Sequence, residues 1–284
     1  MPTEYAITYS CENKYENKVR GAHWQFLIIP QTNSSQEVLS IEFTNSLLEA
    51  ESYSINGLGF KTIRLKTRKS FKSARFRAKM RVLKSEVNPF DFPLENNAEE
   101  SYKELKSLNF RVDHEAFLKK TDLTTLPENS TSLWSLDTSQ TVFTNLQNLN
   151  KLVNAYLTFQ PSTTTASSTL EEVLAKRNGV CQDFAHLFCA LARMNGIPSR
   201  YVSGFLHQGS GYFGDSQMHA WSEAFIPKIG WVGFDPCNDL LAGTDYIKVS
   251  HGKDYRDCAP IRGVLFTTGK NETIYTVQVE GDQQ

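Results

Sequence analysis

Cys181, His219 and Asp235 occur in an order that could support nucleophilic attack on a carbonyl. Cys181 follows the turn pair Asn178-Gly179 and opens a run in which Phe184, Ala185, Phe188, Cys189 and Ala192 recur at helical spacing. Met194-Asn195-Gly196 and then Pro198 end that run. A cysteine in the first turn of a helix sits at the positive end of the macrodipole, where free N–H groups favour thiolate over thiol. The plainer reading of the same spacing is a small apolar core residue.

A thiolate nucleophile needs a base, and the base needs an orienting partner. Of six histidines, His186 lies five residues along the same helix, about 140° around it from Cys181, and faces elsewhere. His207 and His251 stand in polar, glycine-containing loops, and His23 and His114 lie outside the helix-and-strand region that follows Cys181. His219, in Gln-Met-His-Ala-Trp-Ser-Glu, is expected within a strand. Asp235 ends the next strand, Gly-Trp-Val-Gly-Phe-Asp-Pro. A four-residue loop over Pro227–Gly230 would pair Ile226 with Trp231 and turn Asp235 away from His219. A five-residue loop, or a bulge at Gly230, would pair Phe225 with Trp231 and bring the two onto one face. Read alone, Asp235-Pro236 is a strand-ending turn.

The elements around these residues read as follows. Residues 3 to about 84 alternate as strands: Tyr5, Ile7, Tyr9; Trp24, Phe26, Ile28; Leu39, Ile41, Phe43; and Phe76, Ala78, Met80, Val82 against Arg75, Arg77, Lys79, Arg81. Asn56-Gly57 signals a hairpin. This pattern predicts a small antiparallel sandwich over residues 1–85. The basic run Lys61–Lys84 reads as a solvated sheet face, because its charges alternate with core residues and no aromatics interleave on the basic face; no nucleic-acid partner is expected. The proline-broken, acidic stretch from Glu86 to Asn97 opens a linker and helical connection over residues 86–135. Val142, Leu146, Leu149, Val153 and Tyr156 form a helical stripe capped by Asp137 or Thr138. Thr169 and Glu172 form a capping box for a helix ending at Arg177. Past the Cys181 helix, strands are expected over 197–206, 218–226 and 231–235, with a flexible glycine loop over 207–217. Further short strands are expected over 246–249, 262–266 and 273–279, all within a core spanning residues 136–284.

The chain has 284 residues and a formal net charge of −1, so bulk charge implies no acidic partner. Five cysteines at irregular spacings argue against a disulfide framework, and none pairs as C-x-x-C for zinc. With no calcium loop either, neither metal nor cofactor is expected. No signal peptide or membrane-spanning run is visible, so a cytoplasmic protein without a membrane partner is the expectation.

Gly-Val-Cys-Gln-Asp-Phe-Ala-His, Gly-Ile-Pro-Ser-Arg-Tyr-Val-Ser-Gly, His-Ala-Trp-Ser-Glu and Gly-Trp-Val-Gly-Phe-Asp-Pro together resemble the bacterial transglutaminase-like superfamily, which is related to papain-type cysteine proteases. The resemblance extends through Thr169–Arg177 and His251–Val264, and residues 3–84 look like the β-rich region that precedes this core in such proteins. It implies an α+β fold, in which an antiparallel β-sandwich precedes a papain-like core with cysteine on a helix and histidine and aspartate on a sheet. It also implies Cys181 as nucleophile, His219 as base and Asp235 as orienter, acting on a protein or peptide through an acyl-thioester. The backbone N–H of Cys181 and a second donor, with Gln182 a candidate, would hold the oxyanion; Trp221 would wall the cleft. Hydrolysis is the expected outcome, with amine transfer to glutamine or a non-catalytic binding module as alternatives. Asp183 reads as a helix N-terminal acid or as a contact supporting the site from behind, in preference to a direct part in the chemistry. Cys237 reads as a tolerated small residue or as a second thiol able to trap Cys181 under oxidation. Cys189 and Cys11 read as core or strand residues.

Overall fold

In the computed structural model, which describes residues 2–93, 98–130, 132–207 and 217–283, the alternation in the sequence becomes strand faces. The first strands are β1 (Thr3–Val19), β2 (Ala22–Phe26), β3 (Gln36–Asn45), β4 (Glu51–Ile55), β5 (Lys61–Thr67) and β6 (Phe71–Lys84). Tyr5, Ile7, Tyr9 and Cys11 on β1 and Phe76, Ala78, Met80 and Val82 on β6 are buried, while Arg75, Arg77, Lys79 and Arg81 are exposed. Leu39 leaves the pattern: the β3–β6 register shifts between Val38 and Ser40, and the bulged side chain is exposed. Asn56 closes the β4–β5 hairpin, its side chain accepting from the N–H groups of Leu58 and Phe60.

The helical connection holds α1 (Ala98–Lys106), α2 (Leu108–Asp113) and α3 (Glu115–Leu118). Next come α4 (Val142–Tyr156), β7 (Thr158–Phe159), α5 (Leu170–Lys176), β8 (Asn178–Gly179) and α6 (Cys181–Met194). Thr141, rather than Asp137 or Thr138, caps α4, its side chain accepting from Thr144 N at 3.0 Å. Asp137 is engaged one turn earlier, accepting from Ser139 N and Oγ. The Thr169–Glu172 box caps α5 as expected.

The chain ends with β9 (Ser199–Leu206), β10 (His219–Ile226), β11 (Gly230–Asp235), β12 (Leu240–Leu241), β13 (Tyr246–Gly252), α7 (Tyr255–Cys258), β14 (Ile261–Leu265) and β15 (Asn271–Gln283). The glycine loop expected at 207–217 lies almost wholly outside the described residues. A five-stranded antiparallel sheet, ordered β12-β11-β10-β9-β13, carries the core, and α6 packs on it through Ser222 Oγ, which donates to the Ala185 carbonyl at 3.1 Å.

The last two strands do not stay with this core, although the expected division assigned them to residues 136–284. β15 pairs with β1 through Tyr15↔Asn271, and β14 pairs with β2, giving sandwich sheets ordered β15-β1-β6-β3 and β14-β2-β5-β4. The seventeen-residue β1 would otherwise present an open edge, and β15 covers it. The sandwich core also runs into the five-stranded sheet through Phe205, Ile247 and Val249. Gln36 clamps the two parts, donating to the Lys248 carbonyl at 2.7 Å and accepting from Lys248 N at 3.0 Å.

Candidate active site

Cys181 is the first residue of α6, and Val180 is its cap. Asp183, buried in the first turn, accepts from Val180 N at 2.8 Å and from the Thr164 hydroxyl at 2.6 Å. Burial raises the pKa of its carboxyl, while these two bonds pull the other way. Asp183 therefore acts as the N-terminal acid anticipated from sequence, and it ties the Ser/Thr-rich loop to the helix mouth. His186 points away from the thiol and accepts from Tyr255 N at 3.1 Å.

The β10–β11 hairpin sets the register on which His219 and Asp235 depend. Phe225 pairs with Trp231 and Ser222 with Phe234, the register that places Asp235 opposite Trp221 and diagonal to His219. The loop is shorter than either expectation. Pro227, Lys228 and Ile229 form it, and Gly230 already pairs with Ile226. Gly230 does so at φ +98, a conformation that L side chains rarely adopt.

His219 Nε2 lies 2.7 Å from Asp235 Oδ2, and both residues are buried. The same carboxylate oxygen accepts from Tyr246 Oη and Asn238 Nδ2, each at 2.8 Å, and Oδ1 accepts from Cys237 N at 3.0 Å. From α4, Asn154 donates to the carbonyls of Pro236 and Cys237, which fixes the turn that follows Asp235. Burial acts against charge on both partners. On Asp235 it is offset by His219 and by the hydrogen bonds, which hold the carboxyl below its ordinary range. On His219 the Asp235 carboxylate reverses the effect of burial, and Cys181 adds to the reversal, so the imidazole is raised to about 10. The second ring nitrogen, Nδ1, is buried and has no hydrogen-bond partner among the described residues. Cys181 is thus close enough to favour the imidazolium.

Cys181, Gln182 and His219 line one cavity of about 170 Å³. Trp221 does not line it. Its indole lies behind the site, 6.3 Å from the His219 ring and edge-on to Tyr246 at 5.3 Å. Gly204 gives it room, since a Cβ there would meet the indole at 2.6 Å. Trp221 buttresses the histidine rather than walling the cleft. Cys237 is buried in a cluster against which Cys181 packs, and burial, Cys181 and Asp235 all raise the pKa of its thiol. All five cysteines are free.

Sequence reasoning missed Tyr246, Asn238 and Asn154. For Asn154 a signal existed: α4 is a predominantly apolar packing helix that places asparagines at 145, 150 and 154, and buried or half-buried amides need partners.

Residues 134–236 match the family model of the transglutaminase-like superfamily. An uncharacterized protein of Mycobacterium bovis is 37% identical over 150 residues, which cover 48% of this chain and 48% of that protein. The match thus spans about half the length of that relative. A Pseudomonas aeruginosa protein named protein-glutamine gamma-glutamyltransferase is 33% identical over 97 residues, 32% of this chain and 14% of that protein. A crystal structure from Cytophaga hutchinsonii, described as a candidate cysteine protease, aligns with a TM-score of 0.69 at 17% identity, covering 100% of this chain and 92% of that one. At that identity the likeness speaks to the fold, sandwich included.

Proposed function

We propose that this chain, whose residues 134–236 match the transglutaminase-like superfamily, is a cysteine peptidase or amidase working through an acyl-thioester. One observation carries the reading: His219 is anchored through Nε2 to Asp235, is influenced by Cys181, and lines one cavity with it. In the proposed reaction the Cys181 sulfur attacks the amide carbonyl carbon, and the C–O π electrons move to oxygen. The N–H groups of the first turn of α6, with Gln182 at the rim, face the developing oxyanion. The tetrahedral adduct collapses, the C–N bond breaks, and the proton on Nδ1 passes to the leaving amine. The acyl group is then a thioester on Cys181. Nδ1 next takes a proton from water, the hydroxide attacks, and the carboxylic acid departs as the thiolate re-forms. Asp235 holds the ring in one orientation throughout and favours its charged form.

A second reading, transfer of the acyl group to an amine, draws on the name of the Pseudomonas relative. It differs only in the nucleophile that resolves the thioester, and water exclusion decides between the two. Incubation with a cell lysate and a biotinylated amine, compared with Cys181→Ala, separates them. New peptide termini that depend on Cys181 support hydrolysis, and biotin transfer that depends on Cys181 supports amine transfer. If neither depends on Cys181, the chain is a binding module on the same fold.

A further inference from the structure

The cavity beside Cys181 is built by both parts of the molecule. Cys181 and Gln182 come from α6 and His219 from β10, but Tyr9 comes from β1 and Tyr275 from β15. No Asp, Glu, Lys or Arg is among its described lining residues. At about 170 Å³ the cavity takes a group the size of one side chain rather than a folded surface. Tyr9 is 1% exposed, and its ring packs 6.3 Å from that of Tyr275. Its hydroxyl is buried, and beside it lies the Cys11 thiol, a weak partner that makes no well-aligned hydrogen bond to it. Burial drives its pKa well above 10, so it remains a proton donor. An O–H held out of water with only a thiol beside it still carries most of its desolvation cost, and buried polar atoms of this kind are uncommon.

The geometry points to Tyr9 as a substrate-binding residue, its hydroxyl donating to the carbonyl oxygen of an uncharged amide group that enters the cavity. The sandwich thereby reads what the core cleaves, an inference that rests on the proposed role of Cys181. An uncharged group suits this cavity because the charge on His219 is already met by Asp235 and Cys181, and no Asp, Glu, Lys or Arg joins them in the described lining. The phenol supplies what a neutral carbonyl can use, one donor.

The test follows alkylation of Cys181 by iodoacetamide, read by intact mass, in the presence of N-acetylglycinamide or its charged counterpart N-acetylglycine. In the wild-type protein the amide is expected to slow alkylation and the carboxylate to do so far less. Tyr9→Phe should weaken protection by the amide about tenfold, read in each protein as the ratio of alkylation rates with and without protector. Because the hydroxyl has only the weak thiol of Cys11 beside it, Tyr9→Phe should also leave the melting temperature equal or higher. The inference is overturned if the amide fails to protect the wild type, if the carboxylate protects as well, if Tyr9→Phe is protected equally, or if Tyr9→Phe lowers the melting temperature. Equal alkylation rates in His219→Ala and wild type would defeat the catalytic reading instead, and protection of the same thiol would still decide the role of Tyr9.

Discussion

Two charge networks, one buried and one half-buried, share one face of β10, four residues apart. Glu223 accepts from Arg200 Nε at 2.6 Å and from Lys248 Nζ at 2.6 and 2.8 Å, and the Arg200 guanidinium lies 4.0 Å from the centroid of the Trp231 ring. Burial opposes its charge, but Lys248 and Arg200 hold its carboxyl down to about 2. Both of its oxygens are engaged. His219 is more deeply set, yet only Nε2 is held by a carboxylate, and the residue lines the cavity with Cys181. His186 makes a third case. It is fully buried without a bonded carboxylate, is driven down to about 3, and is occupied by the Tyr255 N–H. Burial alone therefore decides neither charge nor reactivity. The carboxylate partner sets the charge, and the withheld hydrogen bond leaves a group able to move a proton.

The comparison breaks first at Asp235. Asp235→Asn should lower turnover about 10³- to 10⁴-fold, because the ring loses both its orientation and the charge that favours imidazolium. Cys181→Ala should abolish it. Initial rates on whichever substrate the lysate experiment yields would check both, and an Asp235→Asn enzyme within tenfold of wild type would remove the open network's claim to be catalytic. Glu223→Gln should behave in the opposite way. It leaves two cations without their carboxylate, costing about 3 kcal/mol after allowance for their partial exposure. Melting should fall by several degrees while the rate at permissive temperature stays within about threefold. A rate loss matching that of Asp235→Asn would mean the two networks are one.

Their pH signatures should also separate. The pKa of His219 is raised in the folded state, so its stabilisation is complete below the ordinary histidine value of about 6.5 and is lost as pH rises toward about 10. Glu223 is depressed, so its contribution is present above the ordinary glutamate value and is lost as pH falls toward about 2. Denaturant melts across pH should show Asp235→Asn flattening the alkaline slope and Glu223→Gln flattening the acid one. Exchange of those two effects would reverse the assignment.

Much of this was legible in the sequence because it is local. The α6 boundaries follow from Asn178-Gly179 and Asn195-Gly196, the α5 capping box from two residues three apart, and the alternation of β6 from its arginines and lysine. The Phe225↔Trp231 register was legible as one of two alternatives, and the left-handed Gly230 settles it. What escaped is non-local. No local pattern tells that β15 returns to β1 across some 250 residues, so the sandwich was expected to end near residue 85. Trp221 was misplaced for the same reason: its seat exists because Gly204, on the neighbouring strand, has no side chain. The site itself was readable as three residue types on three elements. Its support was not, because Tyr246 reaches Asp235 only through the order of strands in the sheet.

Tyr246 gives the smallest expected effect and the finest test of the contrast. Its hydroxyl donates to Asp235 Oδ2, the oxygen that also binds His219. In Tyr246→Phe the carboxylate keeps His219, Asn238 and Cys237 N, so stability should fall by about 1–2 kcal/mol, the low end for a hydrogen bond to a charged group. With one donor fewer, the folded-state pKa of Asp235 rises. Its stabilisation, present above the ordinary carboxylate value, should then begin to fade at higher pH on acidification than in the wild type. Turnover should drop less than tenfold, since the Nε2 bond persists. If the rate instead fell as far as in Asp235→Asn, holding the carboxylate would matter as much as its charge, and the network would owe its reactivity to rigidity rather than to the nitrogen it leaves open.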